Sequence, residues 1–232
     1  MRVLFFVFAL VSALAAPATA QLPAPPPPAA PAPSPAIERD WRQVVSQTRV
    51  GAFVVGNPAA PIKLAEYLSY TCPHCAAFER AARPVLFNEW VRRGVVRVEY
   101  RNAVRDPVDL AAAMLARCAG TTGFFGASEA IFRDQAAIMQ RAAGLAGQNV
   151  GGNFKAMAER TGLITLMRRR GMSQARIDQC FATDTDRDRL LAMANAAFQR
   201  ISGTPSFEIN DRAIDGHDWA SVETALRAAG AR

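Results

Sequence analysis

The sequence predicts an α/β fold that is interrupted by one block of helices. Two strand patterns, Ile62 to Leu68 and Val95 to Tyr100, flank a helical pattern that runs from Pro73 to Arg93. From Asp106 to Arg200 the apolar residues recur about every 3.6 positions, which predicts several short helices. Strand signals return only after this block. The order strand, helix, strand, helical block, strand, strand, helix therefore predicts a sheet-plus-helix fold with one helical insertion.

The first half of the fold is predicted from local spacing and from chain breaks. Gly51 to Val55 is a short strand candidate that ends at the turn residues Gly56-Asn57-Pro58. In the helical pattern of Pro73 to Arg93, Pro84 should kink or interrupt the helix, because proline has no backbone N–H to donate. The strand–helix–strand unit predicts a right-handed crossover, so the strands on either side of the helix should pair in parallel.

The C-terminal residues predict a hairpin and a final helix. Ser206 to Ile209 and Arg212 to Ile214 are short strand candidates, and Asn210-Asp211 between them suits a tight hairpin turn. Trp219 to Ala228 has the apolar spacing of an amphipathic helix. These elements would complete the sheet and cover one of its faces.

The N-terminal segment has the pattern of an export signal. A basic start is followed by an apolar run from Val3 to Ala15 and by small residues up to Ala20. This predicts a signal peptide of residues 1–20 that is cleaved after Ala20. An uncleaved membrane anchor is the alternative, although the apolar run is short for a span of about 20 residues. Residues 21–36 are rich in Pro and Ala and favour a stiff, extended tether.

The net charge of +7 at pH 7 raises the question of a nucleic-acid partner. The densest basic cluster, Arg168-Arg169-Arg170, has no interleaved aromatic residues and precedes Gly171, where a helix end favours cations. A solvated helix terminus is the better interpretation, so no nucleic-acid partner is predicted. The positive balance would instead help to attract acidic client proteins or anionic membrane surfaces.

Two of the four cysteines form the motif Cys72-Pro73-His74-Cys75 at the predicted start of a helix. Free backbone N–H groups and the positive end of the helix dipole stabilise a thiolate at this position. His74 adds a hydrogen-bond donor or a positive charge near the Cys72 sulfur. We therefore expect Cys72, at an exposed tip, to be the nucleophile and Cys75, one turn further in, to resolve the mixed disulfide.

Other uses of this motif fit the sequence less well. A structural zinc site needs four ligands, usually as two close pairs, whereas Cys118 and Cys180 are single and far apart. Covalent haem attachment needs a histidine after the second cysteine, and that position is Ala76. A structural disulfide over so short a loop would constrain the unfolded chain little. No metal and no cofactor are predicted.

The remaining cysteines, Cys118 and Cys180, are predicted to form a structural disulfide inside the helical block. Exported proteins fold where disulfides persist, and two spare thiols there would be a liability. The alternative is a pair of buried free thiols in helix cores.

The segment from Glu66 to Cys75 (EYLSYTCPHC) closely resembles the active-site segment of the DsbA family of bacterial periplasmic thiol–disulfide oxidoreductases. Gly203-Thr204-Pro205 is similar to the cis-proline loop of that family. The resemblance implies a thioredoxin-like domain of residues 37–106 and 201–232, with an all-helical insertion at residues 107–200.

The resemblance also implies roles for individual residues. Glu66 would be a buried carboxylate that assists proton movement to Cys75, with a surface charge at the strand edge as the alternative. Pro205 would be cis and close to Cys72, and Thr204 would offer backbone hydrogen bonds to an extended client segment. An ordinary trans turn is the alternative for this loop. His217 has no motif support and is expected to be a surface loop residue.

The function implied by the resemblance is periplasmic oxidation of newly exported, cysteine-containing proteins. The Cys72–Cys75 disulfide would pass to a client through a mixed disulfide, and a DsbB-like, quinone-linked membrane partner would restore it. A disulfide isomerase or reductase and a redox-inert binding module or chaperone are the alternatives, since threonine before the proline also occurs in isomerase-like relatives. The short segment before Gly51 leaves no room for a dimerisation domain, so a monomer is expected.

Overall fold

The computed structural model describes residues 39–145 and 152–232; the predicted signal peptide and tether lie outside these ranges. After a 3-10 turn at Trp41–Gln43, the strands are β1 (Val45–Gln47), β2 (Phe53–Val55), β3 (Ile62–Leu68), β4 (Val96–Asn102), β5 (Ser206–Ile209) and β6 (Arg212–Ala213). The helices are α1 (Pro73–Val85), α2 (Pro107–Cys118), α3 (Gly120–Arg133), α4 (Gln135–Ala143), α5 (Phe154–Arg160), α6 (Leu163–Arg169), α7 (Gln174–Cys180), α8 (Thr185–Phe198) and α9 (Trp219–Ala228).

Strand β3 lies inside the sheet and leads the chain to the start of α1. Within the described residues the strand order is β1-β2-β4-β3-β5-β6. β3 pairs in parallel with β4, from Ile62 opposite Val96 to Leu68 opposite Asn102, and antiparallel with β5. The predicted parallel pair is therefore confirmed. Because strands flank β3 on both sides, its carboxyl end is a rigid base for the segment that follows.

Both faces of β3 are covered by other parts of the protein. Ile62, Leu64 and Leu68 belong to the main hydrophobic core, whereas Tyr67 packs on the opposite face of the sheet. Side chains alternate between the faces of a strand, so Glu66 shares its face with the core residues Leu64 and Leu68. This placement puts a carboxyl group in the interior of the protein.

Pro84 interrupts the helix that follows β3, as the sequence predicts. The α-helical part of α1 ends at Val85, and a π-helical segment, Leu86–Val91, follows directly. Pro84 cannot donate to the carbonyl one turn earlier, and a wider turn absorbs the lost hydrogen bond. The π-helical segment buries Leu86, Phe87, Trp90 and Val91, so the irregular turn is held by packing.

The described chain between β4 and β5 contains helices and no strand, which confirms the α/β fold class with a helical insertion. Stacking of Phe124 of α3 on Phe53 of β2, with 3.9 Å between ring centroids, packs this block onto the sheet. Cys118 at the end of α2 and Cys180 at the end of α7 form a disulfide, with Cα atoms 5.6 Å apart. Among the described residues, no helix has both the length and the apolar character that a membrane span requires.

Several element boundaries differ from the sequence prediction. The sequence does not predict β1, because three residues at a sheet edge are too few to show alternation. Gly51 has φ of +93° and stands outside β2, which begins at Phe53 instead. The hairpin turn forms as predicted, since Asn210 and Asp211 both have positive φ, as a tight two-residue turn requires.

Replacing both Cys118 and Cys180 with alanine should lower the free energy of unfolding by roughly 2–4 kcal/mol, because the cross-link closes a long loop in the unfolded chain. The two residues are 62 positions apart in the sequence. Urea unfolding of oxidised wild type and variant measures the difference. In a reductant strong enough to open every disulfide, the two midpoints should converge; equal stability under oxidising conditions would contradict the prediction.

Candidate redox site

The motif Cys72 to Cys75 lies at the junction of β3 and α1. Cys72 is the N-cap residue, in an extended conformation with φ of −86° and ψ of 116°, and Pro73 occupies the first turn of the helix. A proline there loses nothing, because the first N–H groups of a helix have no intrahelical acceptor. The Cys72 side chain is thus placed where unpaired N–H groups converge.

Buried polar side chains fix the three residues before Pro73. The Asp109 carboxylate accepts hydrogen bonds from the backbone N–H of Tyr70 at 2.8 Å and of Arg105 at 3.0 Å. The Gln135 amide donates to the carbonyl oxygens of Tyr70 and Cys72, at 2.8 and 2.9 Å. Asp109 lies on α2 and Gln135 on α4, so the helical insertion sets the backbone of the motif.

Cys72 is buried, with 2% of its surface exposed, whereas the sequence analysis expects an exposed tip. The difference arises from the Thr204–Pro205 loop, whose peptide bond is cis and which covers the sulfur. The Cys72 Sγ atom lies 3.2 Å from the carbonyl oxygen of Thr204. Pro73 and His74 are exposed, so the motif meets solvent through these two residues.

The two cysteines of the motif have opposite acidities. The pKa of Cys72 is lowered to about 4, first by a hydrogen bond from the Cys75 thiol and against the effect of burial. The backbone N–H groups of Cys75 and His74 lower it further. Burial, followed by interaction with Cys72, raises the pKa of the fully buried Cys75 thiol. At neutral pH the reduced site therefore holds one thiolate and one thiol.

The contribution of His74 to this acidity comes from its backbone N–H group. Any residue other than proline would supply that donor. The sequence analysis assigns the effect to the imidazole, which is exposed in the structure. The role of the imidazole therefore stays a prediction.

Two buried carboxyl groups lie behind the motif. Glu66 has no exposed surface, and neither of its oxygen atoms has a hydrogen-bond partner among the described residues. Its pKa is raised, first by burial and then by Glu79 of α1. Burial also raises the pKa of Glu79 to about 7, although Arg83 lies 3.8 Å from it. Glu79 is not among the residues predicted from the sequence, although its position four residues after Cys75, on the same helical face, was an available signal.

The Thr204–Pro205 loop is held from both sides. The Arg200 guanidinium at the end of α8 pairs with Glu208 of β5 at 2.6 Å, which joins the two ends of the loop. His217 Nδ1 lies 2.8 Å from the Pro205 carbonyl oxygen, and because that oxygen can only accept, the imidazole donates. His217 is an exposed residue, as expected, but it has a contact with the loop that no local sequence pattern indicates.

Within the ranges that the structure describes, no three His, Cys, Asp or Glu side chains lie together as metal ligands would. The arrangement at Cys72 and Cys75 is suited to thiol–disulfide exchange, in which one thiolate reacts at a disulfide and a second thiol in reach resolves the mixed disulfide.

Comparisons with known proteins agree with this chemistry. The chain matches the family model described as Thioredoxin over residues 48–228. A protein-disulfide isomerase from Novosphingobium aromaticivorans is 33% identical, with a TM-score of 0.68 over 75% of this chain and 95% of that one. The alpha-DsbA1 structure of Wolbachia pipientis, 22% identical, has a TM-score of 0.60 over 75% of this chain and 88% of that one, and shows the fold alone.

Curated relatives include a Rickettsia typhi protein named as a protein-disulfide oxidoreductase. It is 28% identical over 175 residues, which are 75% of this chain and 60% of the relative. The chain thus spans about 60% of the length of the Rickettsia relatives that it matches. These matches confirm the thioredoxin-like fold, and the relatives that share sequence with this chain are named as a protein-disulfide isomerase and a protein-disulfide oxidoreductase.

Replacing Glu66 with glutamine should change how stability depends on pH. A carboxyl group whose pKa is raised by folding keeps its proton longer in the folded state, so stability falls as pH rises above the unfolded value of about 4.3. Each unit of raised pKa corresponds to about 1.4 kcal/mol. The stability of Glu66→Gln relative to wild type should therefore increase from pH 5 to pH 8.

Urea unfolding of the oxidised proteins measures this dependence without titration of the two motif cysteines. Glu89→Gln is a matched control, because Glu89 is exposed on the π-helical segment. Its pH profile should follow wild type. Parallel profiles for Glu66→Gln and wild type would contradict a raised pKa at Glu66.

Proposed function

The chain belongs to the thioredoxin family, and we propose that it is a periplasmic thiol–disulfide oxidoreductase that transfers the Cys72–Cys75 disulfide to exported proteins. The observation that carries this proposal is the opposite acidity of the two cysteines, with the pKa of Cys72 lowered to about 4 and that of Cys75 raised. A stable thiolate favours the reduced enzyme, which makes the oxidised enzyme a strong disulfide donor.

In the proposed reaction, a client thiolate attacks the Cys72 sulfur of the oxidised enzyme. The Cys72–Cys75 bond breaks, Cys75 leaves as a thiolate and takes a proton, and a mixed disulfide joins the client to Cys72. A second client thiolate then attacks the client sulfur of this bond, and Cys72 leaves as a thiolate. Two electrons pass from the client to the enzyme, which ends as one thiolate and one thiol.

The buried groups supply what these steps need. Cys75 is formed as a thiolate in an environment that strongly disfavours charge, so it must be protonated quickly. Glu66, buried with a raised pKa, is the proposed source of that proton. Cys72 is a good leaving group in the second step, because leaving is faster for a thiol of low pKa. Thr204 would present its backbone to the extended client segment.

The cellular setting follows from the proposed reaction. The signal peptide of residues 1–20 would direct the protein to the periplasm. Residues 21–36 would form an extended tether in front of the folded part of the mature chain. A DsbB-like membrane partner would reoxidise the reduced site, and no bound cofactor is required. The protein would act as a monomer, with residues 37–106 and 201–232 as the thioredoxin-like domain and 107–200 as its insertion.

A disulfide isomerase is the second candidate. The isomerase from Novosphingobium aromaticivorans supports it, because it is 33% identical to this chain. The redox state of Cys72 and Cys75 in freshly isolated periplasmic protein separates the two: a disulfide is expected for an oxidant and a dithiol for an isomerase or reductase. A redox-inert binding module would retain its activity after both cysteines are replaced.

Replacing each motif cysteine in turn with serine tests the proposed roles of Cys72 and Cys75 directly. Cys72→Ser should abolish disulfide transfer to a reduced client protein, because no attacked sulfur remains. Cys75→Ser, mixed with a client that carries a disulfide, should accumulate mixed disulfides. The Cys72 thiolate attacks the client disulfide, one client sulfur leaves as a thiolate, and no Cys75 remains to attack the new bond at Cys72. Non-reducing electrophoresis and mass spectrometry identify the adducts. Adducts in the Cys72→Ser variant, and none in Cys75→Ser, would reverse the assignment.

Replacing His74 with alanine keeps the backbone N–H and removes only the imidazole. We expect the pKa of Cys72 to rise and the enzyme to become a weaker oxidant, by about 30 mV for each pKa unit. Thiolate absorbance against pH and a glutathione redox titration measure the two quantities. Arg80→Ala, which removes an exposed charge from α1, is the control. A Cys72 pKa that alanine leaves unchanged would contradict a role for the imidazole and leave the Cys75 thiol and the backbone N–H groups as the source of the acidity.

A further inference from the structure

A cleft opens beside Cys72, between the helical insertion and the Thr204 loop. It has a volume of about 510 Å³. The start of α1 forms one wall, and the loop before α2, the end of α8 and the Thr204 loop form the others. Its lining includes Cys72, His74, Arg105, Phe198 and Thr204, and none of its lining residues is acidic.

Arg105 brings an uncompensated positive charge to this cleft. Its backbone is fixed by the hydrogen bond to Asp109, and its side chain is exposed. Among the residues that the structure describes, no carboxylate forms an ion pair with it. The adjacent Asp106 instead accepts hydrogen bonds from the Thr71 hydroxyl at 2.5 Å and the Asp109 N–H at 2.9 Å.

Phe198 brings an exposed aromatic ring to the same cleft. It is the last residue of α8, and 39% of its surface is accessible. Leu191, two turns earlier on the same helix, is 40% accessible but does not line the cleft. The cleft therefore combines a cation, an apolar surface and the Cys72 sulfur in one lining.

We propose that this cleft selects client segments in which the reacting cysteine has an acidic and an apolar residue within about two positions. An extended segment advances about 3.3 Å per residue, so such neighbours stay within reach of the cleft walls. The carboxylate would pair with Arg105, and the apolar side chain would cover Phe198. The inference rests on the proposed function, since it requires Cys72 to react with clients.

Peptide substrates can separate the two contacts. Each of four peptides carries a single cysteine between two variable residues. The flanking pairs are Glu and Leu, Gln and Leu, Lys and Leu, and Glu and Ser. The rate of mixed-disulfide formation with oxidised enzyme is measured for each and divided by the rate of the same peptide with an uncharged disulfide, 2-hydroxyethyl disulfide. This ratio removes the effect of flanking charge on the peptide's own thiol.

Wild-type protein should prefer the Glu–Leu peptide over the Gln–Leu peptide by roughly two- to fivefold, the range of an exposed ion pair, and less at high salt. Arg105→Gln should lose this preference, and Arg105→Lys should keep it. Phe198→Ala should lose the preference for Leu over Ser. Arg212→Gln and Leu191→Ala, which alter exposed residues outside the cleft, should behave as wild type.

The outcomes distinguish failure of the proposed client selection from failure of the proposed reaction. If wild type reacts with all four peptides at the same normalised rate, or if Arg105→Gln keeps the full preference, selection by the cleft is wrong while the proposed function stands. If wild type forms no mixed disulfide with any peptide, both are wrong. Urea midpoints of the variants exclude loss of the fold as the cause.

Discussion

The position of Cys72 at the N-terminus of α1 is the constraint on which the rest of the site depends. At this position a Cys72 thiolate accepts hydrogen bonds from backbone N–H groups that have no acceptor within the helix. The Cys75 thiol donates a further hydrogen bond, which lowers the pKa of Cys72 most. The position can be held only because Asp109 and Gln135 fix the backbone between β3 and α1. The helical insertion is thus part of the machinery that sets the acidity of the sulfur.

The same arrangement places destabilising groups in the core. Glu66 has no hydrogen-bond partner among the described residues, and a second carboxyl group, Glu79, lies close enough to raise its pKa. Two buried carboxyl groups are costly when both are ionised, so at least one holds a proton near neutral pH. Retention of these groups is understandable if a proton is needed beside Cys75, where burial forbids a lasting thiolate.

Elements that depend on local pattern were predictable from the sequence. β3, the break at Pro84, the Asn210-Asp211 turn and α9 agree with their residue patterns, because each is determined by neighbours in the chain. Contacts between distant segments were not predictable. His217 reaches Pro205 across twelve positions, and Gln135 reaches Cys72 across 63. The burial of Cys72 has the same origin, since its cover comes from a loop 132 residues later.

The two halves of the site are supported independently of each other. The cysteine motif is held by β3, α2 and α4, whereas the Thr204 loop is anchored by the Arg200–Glu208 pair and by His217. Neither set of anchors includes Arg105 or Phe198 through its side chain. Substitutions at these two cleft positions therefore leave both sets of anchors in place. If the cleft selects clients as proposed, the residues that set client preference differ from those that hold the sulfur.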